Sequence, residues 1–262
     1  MDGDIPMKGR LQDRVVIVTG AGRGLGATLA KGLAREGAHV AVHYQLSALG
    51  AEQVAHEITQ FGRRAIVVQG DISRHDDVKR LTATVFDEFG RVDVLVNNVG
   101  DMAPEQMSWR DFSEELIDRV LAVDIKGTMM MLHEVGTRML DQGGGTIVNI
   151  GSRVVAAGSP RAPQYAAAKY GVIGLTKSYA LALAPTVRVN TLGPGFIETD
   201  TLKARADWRG GRREKMLAAT PLARIAQPDD IVGPVVFLAS DDSRHITGAF
   251  LVCDGGLTMI GA

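Results

Sequence analysis

Tyr165 and Lys169 stand four residues apart in Tyr165-Ala166-Ala167-Ala168-Lys169, a spacing that puts a phenol and an ammonium on one helix face. A free tyrosine has a pKa of about 10, too high for efficient proton transfer near neutrality, and a neighbouring ammonium favours the phenolate. The pair is a candidate acid–base unit; the plainer alternative is a helical tyrosine beside a solvated lysine. Ser152 adds a third group. It follows the apolar run Thr146-Ile147-Val148-Asn149-Ile150, thirteen residues before Tyr165. Its hydroxyl then falls at a strand's C-terminal end, where it can donate to a substrate oxygen. A serine alone in that place is more often a turn or cap residue.

A second chemistry is readable in Thr19-Gly20-Ala21-Gly22-Arg23-Gly24-Leu25-Gly26. Glycines let a backbone turn tightly and approach a pyrophosphate, and a helix N-terminus offers free N–H groups and a positive dipole. With 31 glycines in the chain, a bare Gly-x-x-x-Gly-x-Gly is weak. Its place after an apolar strand and before a helical pattern is the discriminating feature.

The elements that must position these groups alternate along the chain. Residues 15–19, 40–44, 65–69, 92–97, 146–150, 187–190 and 250–252 are short apolar runs suited to strands buried on both faces of a parallel sheet. Between them, 24–36, 51–61, 76–89 and 113–140 carry helical periodicity. The expected fold is α/β, a doubly wound Rossmann-type parallel sheet of about seven strands in a single domain spanning 1–262, with ligands beyond the strands' C-terminal ends. Residues 196–220 are long, polar and basic (Arg205, Arg209, Arg212, Arg213), and read either as a flap or as a solvated surface loop. Met129-Met130-Met131-Leu132 reads as core or subunit interface.

Composition narrows the classes. The 262 residues carry 29 Lys and Arg against 30 Asp and Glu, a net charge of −1, which argues against nucleic acid or an anionic membrane as partner. One cysteine, Cys253, permits no intrachain disulfide, and the six histidines lack ligand-like spacing, so no metal site is expected. No apolar run reaches the roughly 18 residues of a membrane span, and residues 1–10 have no signal core. A soluble cytoplasmic protein is expected.

Taken in order, these motifs resemble the short-chain dehydrogenase/reductase family in its single-domain branch, from residue 14 to 256. Residues 19–26, including Gly20, Arg23, Gly24, Leu25 and Gly26, look like its dinucleotide loop. Asp71-Ile72 resembles the adenine-binding pair, and Asn97-Asn98-Val99-Gly100 the segment beside the cofactor ribose, where Asn98 and Gly100 would serve. Ser152, Tyr165 and Lys169 fall on the catalytic positions. Pro194-Gly195-Phe196-Ile197-Glu198-Thr199 looks like the segment whose Ile197 backbone and Thr199 hydroxyl hold the carboxamide; residues 222–231 and Asp254-Gly255-Gly256 match later landmarks. The resemblance implies hydride exchange between a nicotinamide and a carbonyl carbon, with Ser152 holding the oxygen and Tyr165 protonating it. Lys169 would anchor the nicotinamide ribose and lower the tyrosine pKa. It also implies a homotetramer, which the apolar stretches 113–140 and 165–184, and residues 257–262, would suit.

Three residues depart from the pattern. Asp124 stands where the family has an asparagine whose main-chain carbonyl holds a water of the proton relay; aspartate keeps that carbonyl but adds a carboxylate near Lys169. Val99 replaces an alanine, and Gln164 an asparagine. All three are read as tuning. At the end of the second strand stand Tyr44 and Gln45, without the carboxylate that binds an adenosine ribose 2′-OH, and Arg23 can pair with a 2′-phosphate. NADP is favoured, with NAD open. Pro194-Gly195-Phe196-Ile197-Glu198-Thr199-Asp200 resembles the stretch of the 3-oxoacyl-[acyl-carrier-protein] reductase group, but fold does not fix the substrate beyond a small carbonyl or alcohol. A catalytically silent dinucleotide-binding redox sensor is the alternative; it predicts erosion of the Ser152, Tyr165 and Lys169 set, which is intact.

Overall fold

Seven short runs rich in Val and Ile associate as one parallel sheet because both of their faces are apolar. The computed structural model describes residues 9–111 and 113–259; the part of the expected second interface at 260–262 lies outside them. The strands are β1 (Val15–Val18), β2 (His39–Tyr44), β3 (Ala65–Gln69), β4 (Val94–Asn97), β5 (Gly145–Ile150), β6 (Val187–Pro194) and β7 (Phe250–Cys253). The helices are α1 (Gly24–Arg35), α2 (Ala48–Gln60), α3 (His75–Phe89), α4 (Glu114–Leu121), α5 (Thr128–Asp141), α6 (Val154–Ala157), α7 (Pro163–Ala182), α8 (Asp200–Ala204), α9 (Arg213–Ala219) and α10 (Val232–Ala239).

The strand order is β3-β2-β1-β4-β5-β6-β7, every pair parallel. Order reverses between β1 and β4, and there the loops after the two strands part to leave a crevice. Two apolar layers cover the faces. One packs Leu29, Leu33, Ile58 and Val235 on Val16, Val40 and Val148; the other packs Val78, Leu81, Met131 and Leu132 on Ile17, Leu95 and Ile147.

Two expectations need correction, and a third gains detail. The run 187–190 continues to Pro194, because β7 pairs with that half, Thr191 opposite Phe250 and Pro194 opposite Cys253. Gly193 belongs there since a Cβ would lie 2.3 Å from the Phe250 ring. The stretch 113–140 is helical from 114 onward, as expected, but its turns widen to π-helix over Ala122–Gly127 between α4 and α5, and Asp124 sits within them. Residues 196–220 are not a plain loop. They hold α8, a turn kinked at Gly211 (φ 94°) and α9, around a small core of Leu202, Trp208 and Ile225.

Candidate active site

At the crevice the chain after β1 must reverse and start a helix with its N–H groups exposed. Gly20 (φ 65°) and Gly24 (φ 56°) adopt the left-handed backbone that other residues resist. A Cβ on Gly26 would lie 2.2 Å from the Gly20 carbonyl oxygen, so only glycine lets the loop close on α1. Arg23 precedes the helix in extended conformation and caps nothing with its side chain, which leaves the guanidinium exposed. Thr19 and Asn98 tie the loop to β4: the Asn98 N–H donates to Thr19 Oγ1 at 2.9 Å and its side-chain amide to the Thr19 carbonyl at 2.9 Å. The Asn98 amide thus braces the glycine loop.

A continuous cleft of about 1160 Å³ runs from this loop to Tyr165. All the cofactor positions named from the sequence line it, as do Ser152, Tyr165 and Lys169; Asp124 lies behind Lys169 and not on the wall. Asp71 Oδ1 accepts from the Ser73 N–H and hydroxyl at 2.8 and 2.7 Å, which leaves its second oxygen for a ligand. Ile72 is buried beside it. Thr199 Oγ1 accepts from Leu202 N at 3.4 Å as the cap of α8, so its hydroxyl proton remains available. Ile197 is held by a parallel bridge to Ala226.

At the other end, Ser152 follows β5 and its Oγ accepts from Val154 N at 3.3 Å. Tyr165 and Lys169 lie in the first turns of α7, which begins with Pro163 at a position where its missing N–H costs nothing. Lys169 Nζ is 5.6 Å from the centre of the Tyr165 ring. The ammonium is buried: it donates to the Ile150 carbonyl at 3.1 Å and lies 2.7 Å from Asp124 Oδ1. Asp124 Oδ2 accepts from Asp101 N at 2.6 Å. Gly100 makes room for this pair, since a Cβ would meet Lys169 Nζ at 2.8 Å. Burial raises the Tyr165 pKa; Lys169 pulls it down, Asp124 pushes it up, and the balance stays above the usual phenol value. The expected lowering by Lys169 is therefore present but outweighed. For Lys169, burial lowers the pKa, yet Asp124 and then Tyr165 raise it further, so it remains an ammonium.

Comparison with known proteins supplies the lineage. The family described as Enoyl-(Acyl carrier protein) reductase, a branch of the short-chain dehydrogenases/reductases, matches residues 20–258. The 3-oxoacyl-[acyl-carrier-protein] reductase FabG of Staphylococcus aureus is 41% identical over 244 residues, 93% of this chain and 97% of that protein. The chain belongs to the short-chain dehydrogenase/reductase family. The L-rhamnose 1-dehydrogenase (NAD(P)(+)) of Azotobacter vinelandii is 40% identical over 253 residues, 94% of this chain and 97% of its own. A 7α-hydroxysteroid dehydrogenase, solved with NADH and 7-oxo glycochenodeoxycholic acid, superposes with a TM-score of 0.87 at 30% identity, covering 95% of this chain and 96% of that one. This short-chain dehydrogenase/reductase is thus an NAD(P)-dependent oxidoreductase of the carbonyl/alcohol type.

Several residues of this short-chain dehydrogenase/reductase escaped sequence reasoning. His43 is buried between the glycine loop and β3: Nδ1 accepts from Gly20 N at 3.1 Å, and Nε2 donates to the Gly70 carbonyl at 3.0 Å. Burial, opposed by the Gly70 carbonyl, brings its pKa down to about 4, so it is neutral near pH 7. Asn97 donates to Asn149 Oδ1 at 2.9 Å, Asn149 to Thr176 Oγ1 at 2.8 Å, and Thr176 meets Thr191 at 2.6 Å. That buried network fastens α7 to β4, β5 and β6 below Lys169. Asparagine inside an apolar strand run was the signal, because buried amides need partners. Of the basic residues in 196–220, Arg205 and Arg212 face the cleft, whereas Arg213 is tied to Glu198 at 2.5 Å and Arg209 donates to the Lys203 carbonyl at 3.1 Å.

Proposed function

We propose that this enzyme interconverts a ketone and a secondary alcohol with Tyr165 as proton donor and acceptor, Ser152 as oxygen holder and NADP(H) as preferred nucleotide. The observation that carries this reading is the gathering of Ser152, Tyr165 and a buried Lys169 at one end of a dinucleotide-shaped cleft. The glycine cradle and the exposed first turn of α1 fit a pyrophosphate, and Asp71 fits an adenine amino group. When bound, the nicotinamide supplies or accepts the hydride at the carbonyl carbon. Ser152 Oγ would donate to the carbonyl oxygen, and the Tyr165 hydroxyl would give its proton to that oxygen as negative charge develops there. Lys169, kept cationic by Asp124, would hold the nicotinamide ribose hydroxyls and keep positive charge beside the phenol. A 3-oxoacyl thioester is the first substrate class to try, since FabG of Staphylococcus aureus is so named; a sugar follows from the rhamnose dehydrogenase.

NADP preference is supported by Arg23, which has no ion pair among the described residues, and by the absence of a carboxylate at Tyr44-Gln45. One charge-assisted contact is worth about 1.5–3 kcal/mol, or roughly tenfold and upward in affinity. A carbonyl panel assayed with both nucleotides is expected to give the higher kcat/KM with NADPH, and Arg23→Ala to remove most of the difference. Equal efficiency in the wild type would overturn the preference; no turnover of any carbonyl would overturn the reaction. A homotetramer is further supported by exposed apolar residues on the helices flanking the cleft and on edge strand β7, among them Met129, Tyr170, Leu181 and Leu251. Light scattering at micromolar concentration is expected to return about four chains, and a monomer mass would refute it.

A further inference from the structure

The substrate end of the cleft is crowded with cations that the proton chemistry does not use. Arg153, Arg161, Arg205 and Arg212 all face it. Arg205 and Arg212 share one carboxylate: Arg205 donates to Asp207 at 2.9 and 2.5 Å, and Arg212 Nη1 to the same group at 2.7 Å. Burial raises the Asp207 pKa, but these hydrogen bonds outweigh it and bring the value to about 2, so Asp207 is anionic. It is one negative charge against two.

Arg161 and Arg153 have no carboxylate contact at all among the described residues. Arg161 donates to the carbonyls of Met102, Ala103 and Gln106 at 2.7, 2.5 and 2.5 Å; three of its five N–H groups are used, on dipoles and not on a charge. Burial, then the charge of Arg205, lowers its pKa to about 10. Among the described residues Arg153 makes no side-chain hydrogen bond, and it lies 4.7 Å over the Phe196 ring, which Arg212 also covers at 5.5 Å. The carboxylate whose charge acts on it, Asp254, accepts hydrogen bonds from the N–H groups of Gly256 and Thr258. The remaining acidic groups on the wall do not compensate. Asp101 is ion-paired to Arg119, Asp118 is exposed on α4, and Asp71 is at the nucleotide end.

Half-buried guanidinium groups crowded without counter-charge are unfavourable. They are also the groups best shaped to take an oxyanion in bidentate fashion. We propose that the substrate of this enzyme carries an oxyanion substituent, a carboxylate or a phosphate, which Arg153 and Arg161 bind while its carbonyl meets Ser152 and Tyr165. The inference rests on the carbonyl-reductase reading above and names the class of molecule that reading leaves open. Arg205 and Arg212, bound through Asp207, add positive potential behind the site and raise the local concentration of anions.

The test uses matched pairs: 2-, 3- and 4-oxo-carboxylates against their methyl esters, and a keto phosphate against the parent keto alcohol, each with NADPH. Wild type is expected to prefer at least one anionic member by about tenfold or more in kcat/KM, the effect of one charge-assisted contact. Arg153→Gln should collapse that anion-to-neutral ratio by a similar factor. The carboxylate and phosphate arms tell which oxyanion is taken. Neutral partners turned over as well as or better than every anion, or a ratio unchanged in Arg153→Gln, would overturn the proposal while leaving the carbonyl reaction standing. A turnover-independent arm separates the two failures. Malonate titrated against the NADP⁺-saturated enzyme should raise Tm in wild type and not in Arg153→Gln. That result would uphold the anion site even if no ketone reacted, and no shift in either protein would count against it.

Discussion

Tyr165→Phe is expected to lower carbonyl reduction by about 10²-fold or more, the range that a positioned general acid contributes, while nucleotide affinity stays within a few fold. The reasoning is local. The ring packs against a small cluster containing Ala103, Val120 and Ala168, and phenylalanine keeps that packing, so the fold and the Lys169–Asp124 pair behind it are retained. What is lost is the phenol hydroxyl that, on the proposed reading, would deliver a proton to a forming alkoxide. On the proposed reading Ser152 would not replace it, because its hydroxyl would be engaged in holding the same substrate oxygen and a serine hydroxyl is a far weaker acid than a phenol. Steady-state kinetics with NADPH and nucleotide titration by fluorescence would check the two halves separately. Residual activity above a tenth of wild type would remove Tyr165 from the proton step; a matching loss of nucleotide binding would mean that the substitution had disturbed the cleft itself.

The sheet was legible because its strands are apolar on both faces: 15–19, 65–69 and 146–150 stand out against polar helical stretches on either side. The second half of β6 was not legible. Leu192-Gly193-Pro194 has neither β-branching nor a strand-like composition, and it is extended because the Phe250 ring demands a glycine and β7 supplies the hydrogen bonds. The positions lining the cleft could be read in order since glycine, asparagine and tyrosine at fixed places each carry a backbone or proton-transfer reason. Arg153 and Arg161 could not be found this way. A guanidinium acts at the end of a long side chain, and which side of a loop it falls on is decided by packing against Phe196 or by the carbonyls of residues 102–106. His43 was hidden for a similar reason: it sits in an apolar strand, and its partners Gly20 and Gly70 are 23 and 27 residues away.

Asp124 is where the sequence and the structure together predict most. Its carboxylate is fully buried, 2.7 Å from a buried ammonium, and it does not itself line the cleft but sits behind Lys169 and Asp101, which do. Asp124→Asn keeps an oxygen to accept from Asp101 N but leaves Lys169 without its counter-charge, and breaking one side of a buried pair costs about 3–5 kcal/mol. A loss near the lower end, about 3 kcal/mol, is expected from urea unfolding at pH 7, because the Ile150 carbonyl still solvates the ammonium. The sign with pH is fixed by the direction of the lysine shift. A raised folded-state pKa stabilises below the unfolded lysine value of about 10.4 and fades as pH climbs through the folded one, so neutral pH reads the contribution in full. In a Lys169→Met background the same substitution should cost far less, and equal costs in both backgrounds would show that the two charges are not coupled. Activity gives the second readout. The Asp124 charge raises the Tyr165 pKa, so its removal should move the pH profile of alcohol oxidation, which needs the phenolate, to lower pH, with the plateau rate within about tenfold of wild type. An unmoved profile with a hundredfold lower rate would mean that the carboxylate takes part in the reaction itself, and that reading it as tuning of Tyr165 through Lys169 is wrong.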